Sequence, residues 1–76
     1  MKDLITEIVQ ALVDQPEKVS VNEIGSSQTT VLEVRVAKID LGKVIGKHGR
    51  TAQAIRTILG AAAGKARKSY LLEIIE

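Results

Sequence analysis

The sequence of 76 residues contains no cysteine, no phenylalanine and no tryptophan, and it has only one proline. Without cysteine the chain can form neither a disulfide nor a thiolate metal site, and it has no cysteine nucleophile. Such a composition suits a reducing compartment. Because Tyr70 is the only aromatic residue, the hydrophobic core must be built from Val, Ile, Leu and Ala.

A long uninterrupted hydrophobic segment is also missing. The opening run from Met1 is broken by Asp3 and Glu7, so it lacks the apolar region of a signal peptide. No later stretch is long enough to span a membrane. We therefore expect a cytoplasmic protein. Its length predicts a single domain over residues 1–76, near the lower limit for a chain that folds without disulfides or metals.

Acidic residues are scarce in the second half of the chain. Residues 1–37 carry three basic and six acidic side chains, a net charge of −3, whereas residues 38–76 carry eight and three, a net charge of +5. The stretch 41–72 contains no acid at all. Lys and Arg neutralise phosphates, so a polyanion is one natural partner for this stretch. Charge alone does not distinguish that partner from a solvated basic surface.

Hydrophobic periodicity predicts a helix followed by a hairpin in the first half. Apolar residues from Leu4 to Leu12 recur at helical spacing, and the helix should end near Asp14-Gln15 because Pro16 follows. The segments 18–24 and 30–37 alternate between apolar and polar side chains, as half-buried strands do. The turn composition of residues 25–28 predicts that these strands form a hairpin.

The second half begins with a short helix, predicted over residues 41–45, for which Asp40 is a suitable N-cap or early-turn residue. A longer helix from about Arg50 to near Gly64 follows, with its apolar stripe at Ala52, Ile55, Leu59 and Ala62. Residues 68–76 alternate as a third strand. The predicted order is αββααβ. Three apolar residues should lie on the outer sheet face, as edge packing or as a dimer contact: Val31, Leu71 and Ile75.

Between the two helices lies the loop Gly46-Lys47-His48-Gly49. Glycine permits backbone angles that other residues avoid, and it lets a ligand approach the main chain closely. A helix starting near Arg50 would point its free N–H groups and its positive dipole end at the same place. Lys47 and Arg50 could add charge-assisted bonds and His48 a hydrogen bond. These features predict a phosphate-binding loop, although each side chain alone could equally be a solvent-exposed turn residue.

Val44-Ile45-Gly46-Lys47-His48-Gly49 resembles the IGxxG signature of the KH domain, and αββααβ is the order of its bacterial, type II form. The resemblance covers the whole chain. It implies an α+β fold with three helices on one face of a three-stranded sheet, and a groove that holds about four nucleotides of single-stranded RNA. The GxxG residues would contact the sugar-phosphate backbone, two residues from each flanking helix would form an apolar floor, and Arg56 would line the rim. The implied RNA-binding residues are Val44, Ile45, Gly46, Lys47, His48, Gly49, Arg50, Ala52, Ile55 and Arg56.

Other classes of site fit the sequence less well. RRM and OB-type proteins stack bases on exposed aromatic rings, and this chain has no aromatic residue beyond Tyr70. A nucleotide-binding P-loop needs four residues between its glycines and a Ser or Thr after the lysine, whereas Gly42 and Gly46 enclose three and His48 follows Lys47. His48 is the only histidine and has no nearby partner for catalysis or metal binding. We therefore expect no enzymatic activity, no metal and no cofactor.

Ile58 falls off the Ile55/Leu59 stripe, so it is either ordinary core or an apolar contact for a partner helix. The resemblance implies pairing with a second copy or with a larger KH-containing protein. Our main hypothesis is a post-transcriptional regulator or RNA chaperone that binds single-stranded RNA through a dimer. The alternative is a dimerisation adaptor with weak RNA contact of its own.

Overall fold

In the computed structural model the described residues are 1–25 and 28–75, with Ala66 described by its backbone alone. The order αββααβ is confirmed. Single 3₁₀ turns occupy Pro16–Lys18, Lys38–Asp40 and Lys47–Gly49. The helices and strands are α1 (Lys2–Leu12), β1 (Ser20–Gly25), β2 (Thr29–Arg35), α2 (Leu41–Ile45), α3 (Arg50–Ala66) and β3 (Ser69–Ile75).

The three strands form one sheet in the order β1-β2-β3. β1 pairs with β2 antiparallel, with Val21 opposite Val34, so the predicted hairpin is confirmed. β2 pairs with β3 in parallel, with Leu32 beside Leu72. Parallel neighbours need a long crossover, and here α2 and α3 supply it. The middle of the predicted hairpin turn, residues 26–27, and the predicted strand end at residue 76 lie outside the described residues.

The core lies between one face of the sheet and the helices. α1 packs against β1, α3 packs against β3, and α2 packs between α1 and α3. All of the fully buried hydrophobic side chains are aliphatic, as the lack of aromatic residues requires. The core cluster consists of Ile5, Val9, Val21, Leu32, Val34, Val36, Val44, Ile55, Leu59 and Leu72.

The outer face of the sheet carries a short apolar row across all three strands. Ile24 pairs with Val31 on β2, and Val31 pairs with Leu71 on β3. Ile24 and Leu71 are about half exposed, whereas Val31 and Ile75 are partly buried by their neighbours. The prediction that Val31, Leu71 and Ile75 face away from the helices agrees with this register.

Several boundaries differ from the predicted ones. α1 ends at Leu12 because Val13 is already extended, two residues earlier than Pro16 alone required. α3 continues past Gly64 to Ala66 and ends where Arg67 adopts left-handed backbone angles, φ 55° and ψ 39°. The Arg67 N–H then donates to the Ala63 carbonyl. Within the described part of the chain, no helix is both long and apolar enough to cross a lipid bilayer.

Candidate nucleic-acid interface

The loop after α2 depends on glycine at its first position. Gly46 has φ 78° and ψ 168°, a region that is almost restricted to glycine. A Cβ placed there would lie 2.2 Å from Thr51 Oγ1 and 2.8 Å from the Thr51 backbone nitrogen. The Gly46 N–H also closes α2 by donating to the Gly42 carbonyl at 2.8 Å. Gly46 therefore ends α2 and lets the start of α3 pack directly against the loop.

The second glycine is required for a different reason. Gly49 has φ 73° and ψ 13°, yet a Cβ there would meet no atom within 4 Å. Its N–H donates to the Gly46 carbonyl at 3.0 Å, which closes the turn. His48 shares the left-handed conformation with φ 57° and ψ 25°, and histidine is among the side chains that tolerate it. The backbone thus turns tightly and leaves Lys47 and His48 exposed.

The basic side chains of the loop and of the first turns of α3 have no side-chain partner in the part of the chain that the structure describes. Lys47, His48, Arg50 and Arg56 are all exposed. Within residues 1–25 and 28–75, none of the four forms a side-chain hydrogen bond or salt bridge. α3 is 17 residues long and starts at the loop with no side chain capping it, so its positive end faces the same surface. The arrangement offers several positive groups to an anionic ligand.

Lys43 belongs to the same acid-free stretch, but the structure uses it internally. Its ammonium donates to the Asp14 carboxylate and lies 3.9 Å from Asp40 Oδ1. The hydrogen bond to Asp14 raises the pKa of Lys43 against the opposing effect of desolvation, and the negative charges of Asp14 and Asp40 add to the rise. Lys43 and Lys47 are only four residues apart, yet Lys43 forms a stabilising contact within the protein whereas Lys47 is left free at the surface.

The residues of the predicted apolar floor differ in their exposure. Val44, Ala52 and Ile55 are at most 3% exposed, so they lie in the core and present no side chain to a ligand. Ile45, at 42%, is the one member of that set on the surface. The reason is that α2 and α3 both use these positions to pack on the sheet. The three buried residues support the surface from beneath, and Ile45 is the apolar side chain exposed on it.

Asp40 also differs from its predicted role. It occupies the N-cap position of α2, but its carboxylate caps no α2 N–H group. Instead the buried carboxylate accepts hydrogen bonds from the backbone N–H groups of Asp14, at 3.1 Å, and Gln15, at 3.0 Å. These donors lie just after α1 and become available because the helix has ended. No local sequence pattern indicates a contact between residues so far apart in the chain.

Two further isoleucines, one before α2 and one within α3, are exposed. Ile58 is 43% exposed, in agreement with its position off the core stripe of α3. Ile39, in the turn before α2, is the most exposed large hydrophobic residue that the structure describes, and no sequence pattern marks it. A single exposed isoleucine is common on protein surfaces and carries no functional signal by itself.

An αββααβ fold with three helices on one face of a three-stranded sheet, and a GxxG loop between the second and third helices, defines a KH domain of type II. The sequence profile of the family described as KhpA/KhpB, KH domain, matches residues 2–74. The chain belongs to this KhpA/KhpB family of KH-domain proteins.

Curated relatives agree with the family assignment. The chain is 53% identical to a protein of Caldanaerobacter subterraneus subsp. tengcongensis and 51% identical to one of Clostridium perfringens. Each alignment covers 99% of this chain and 100% of the relative. A Borreliella burgdorferi relative is 47% identical, with 97% of this chain and 90% of the relative covered. All three relatives are named RNA-binding protein KhpA. No solved structure gives a significant match.

Proposed function

We propose that this protein binds single-stranded RNA in the cytoplasm, with the Gly46–Gly49 loop holding backbone phosphates, and that it acts as a post-transcriptional regulator or RNA chaperone. One observation carries the proposal: the loop presents exposed cationic side chains that have no partner in the described part of the chain. The names of the KhpA relatives support RNA as the polyanion.

The chemistry of the loop favours phosphate contact over base recognition. Lys47 and Arg50 can donate charge-assisted hydrogen bonds to phosphate oxygens, and the uncapped start of α3 adds a favourable dipole. Such contacts fix the position of a nucleic acid but carry no sequence information. Ile45 and Arg56, exposed on either side of the loop along the chain, would touch the sugars and bases. We expect weak, salt-sensitive binding to short RNA.

The test is the double variant Lys47→Asp with His48→Asp, measured by fluorescence anisotropy with a short labelled single-stranded RNA. Both side chains are exposed and unpaired, so the melting temperature should stay close to the wild-type value. RNA affinity should fall by at least tenfold, since each side chain then repels phosphate. For the wild-type protein, the logarithm of the RNA association constant should fall linearly with the logarithm of the salt concentration. The slope should be about −0.7 for each phosphate neutralised.

A control must separate the loop from the net charge of the protein. Lys2→Asp with Asn22→Asp makes the same change in charge at exposed positions on α1 and β1, away from the loop. This control should bind RNA nearly as well as the wild type. Equal loss in both double variants would mean that overall charge, rather than the loop, governs binding. Undiminished binding by the loop variant would disprove the phosphate-holding role.

We also propose that Ile58 contacts a second KH chain, either another copy of this protein or a KhpB-type partner. The side chain is 43% exposed on the solvent side of the core stripe of α3. The family name joins KhpA and KhpB, which supports a KH protein as the partner. RNA binding by the loop does not use this position, so pairing through Ile58 would leave the Gly46–Gly49 loop open.

Sedimentation of Ile58→Glu tests the contact. The charge should shift a dimer to monomers while leaving the fold intact, because burying an unpaired carboxylate in an interface is costly. Leu4→Glu is a matched control, since Leu4 is also 43% exposed but lies on α1. An unchanged sedimentation coefficient for Ile58→Glu, or an equal change for Leu4→Glu, would argue against Ile58 as the contact.

A further inference from the structure

We propose that Asp40 is a positioning residue for the RNA-binding loop: by anchoring the start of α2 to the chain that follows α1, it sets where Gly46–Gly49 meets RNA. The inference rests on the proposed function of that loop. Asp40 is fully buried, so it cannot touch RNA itself. Its effect must be transmitted through α2, whose two ends are Asp40 and the loop.

The hydrogen bonds of Asp40 link two separate parts of the chain. Both carboxylate oxygens accept backbone N–H groups, Oδ1 from Asp14 and Oδ2 from Gln15. Lys43 adds a second connection from α2, since its ammonium reaches the Asp14 carboxylate and lies near Asp40. A buried carboxylate held by two N–H groups has little freedom to move, because leaving either group unpaired is costly. The segment after α1 therefore acts as a fixed support for α2.

α2 needs such a support because it is too short to hold its own direction. It has five residues and spans about 8 Å, and helices of this length are unstable in isolation. Val44 is its only fully buried side chain, with Leu41 partly buried. One buried side chain fixes the position of a short helix but does not fix the direction of its axis. Asp40 supplies the second fixed point, and the loop lies at the opposite end.

Asp40→Asn provides a test in which electrostatics and loop positioning predict opposite changes in RNA affinity. The substitution removes a negative charge from the protein, so electrostatics alone would strengthen RNA binding. It also replaces one accepting oxygen with an NH2 group that faces a backbone N–H, which breaks one of the two anchors. If Asp40 positions the loop, RNA affinity per folded molecule should fall about fivefold or more. The salt dependence should also become shallower, because fewer phosphates are contacted.

Two controls separate positioning from charge and from lost stability. Asp3→Asn removes the same charge from an exposed side chain on α1 and keeps both the backbone hydrogen bonds to Asp40 and the Lys43–Asp14 contact, so RNA binding should stay equal or become tighter. Val9→Ala weakens the core under α1 without touching the Asp40 hydrogen bonds, so its folded fraction should bind RNA normally. If Asp40→Asn binds RNA as tightly as Asp3→Asn does, the positioning role is overturned.

The failure of this inference can be told apart from failure of the proposed function. If Lys47→Asp with His48→Asp loses RNA but Asp40→Asn does not, the loop binds RNA and Asp40 does not position it. If the loop variant keeps its RNA affinity, the proposed function itself is wrong.

A second measurement needs no variant and applies even if Asp40→Asn does not fold. Coupling between two sites is reciprocal. RNA that holds the loop in place should therefore also stabilise the hydrogen bonds from the Asp14 and Gln15 amides to Asp40. Saturating the wild-type protein with RNA should slow hydrogen exchange at the Asp14 and Gln15 amides, which donate to Asp40. Unchanged exchange at these amides, with slowed exchange at the loop, would contradict the inference.

Discussion

The segment made by α2, the loop and α3 has an inner and an outer side that differ in almost every property. On the inner side Val44, Ile55 and Leu59 are aliphatic and buried against the sheet. On the outer side Lys47 and Arg50 are charged, exposed and unpaired in the described part of the chain.

Buried residues of the inner side and exposed residues of the outer side lie next to one another along the chain. Val44 is buried, whereas its neighbour Ile45 is 42% exposed. Helical geometry separates such neighbours by about a third of a turn, so one can support the fold while the next meets solvent. Substitutions on the inner side should therefore change stability, and substitutions on the outer side should change RNA binding.

The largest effect should come from Ile55→Ala. Removing a buried isoleucine side chain leaves a cavity between α3 and the sheet, and about 3 kcal/mol of stability should be lost. For a domain of this size the melting temperature should fall by roughly 12–24 °C. Ile45→Ala, on the exposed side, should cost less than about 1 kcal/mol but weaken RNA binding. Calorimetry measures the stability of each variant, and titration with RNA measures its affinity. If Ile55→Ala were as stable as the wild type, the inner side of this segment would not be the side that determines stability.

The two loop glycines should respond differently to alanine. Gly46→Ala combines disfavoured backbone angles with a clash against Thr51, so we expect a loss of about 2–3 kcal/mol and disruption of the loop. Gly49→Ala meets no steric obstacle and should cost only about 1 kcal/mol for its left-handed conformation. Urea unfolding curves measure the difference. Equal costs at both positions would mean that the Thr51 contact does not limit the loop.

Arg67→Gly should stabilise the protein by about 1 kcal/mol. Arg67 ends α3 in a left-handed conformation that glycine adopts without strain. Arg67→Ala removes the same charge without relieving the backbone, so its stability should stay near the wild-type value. Thermal melts of both variants make the comparison. Since Arg67 lies at the end of α3 remote from the loop, a marked loss of RNA affinity in Arg67→Gly would extend the binding surface beyond its proposed limits.

The smallest effect should be the pH dependence due to Lys43. Its pKa is raised in the folded protein above the ordinary value of 10.5, chiefly by the hydrogen bond to Asp14. The bond therefore stabilises the fold below that value and is lost as the pH rises through the raised pKa. The wild type should be slightly more stable than Asp14→Asn at about pH 8, and this difference should shrink by about pH 11. Urea midpoints at the two pH values measure it; a constant difference would contradict the assignment.

Much of the architecture was predictable because its determinants are local. Helical spacing from Leu4 to Leu12, strand alternation at residues 30–37 and the glycines around Lys47 depend only on neighbours in the chain. Boundaries set by a change in backbone conformation, such as Arg67 at the end of α3, could not be predicted, since arginine rarely adopts left-handed angles. That Val44, Ala52 and Ile55 are buried rather than lining a surface follows from packing of both helices on the sheet.

The sequence by itself determined the element order, the aliphatic core and the position of the glycine loop, because composition and periodicity act over a few residues. Only the tertiary structure decided which basic residues stay free. Lys43 and Lys47 look alike in sequence, but the end of α1 brings Asp14 to Lys43 and leaves Lys47 exposed. The same packing of the end of α1 against α2 buries Asp40, whose carboxylate accepts two backbone N–H groups. Contacts between such distant residues depend on how the helices pack, and periodicity does not encode that.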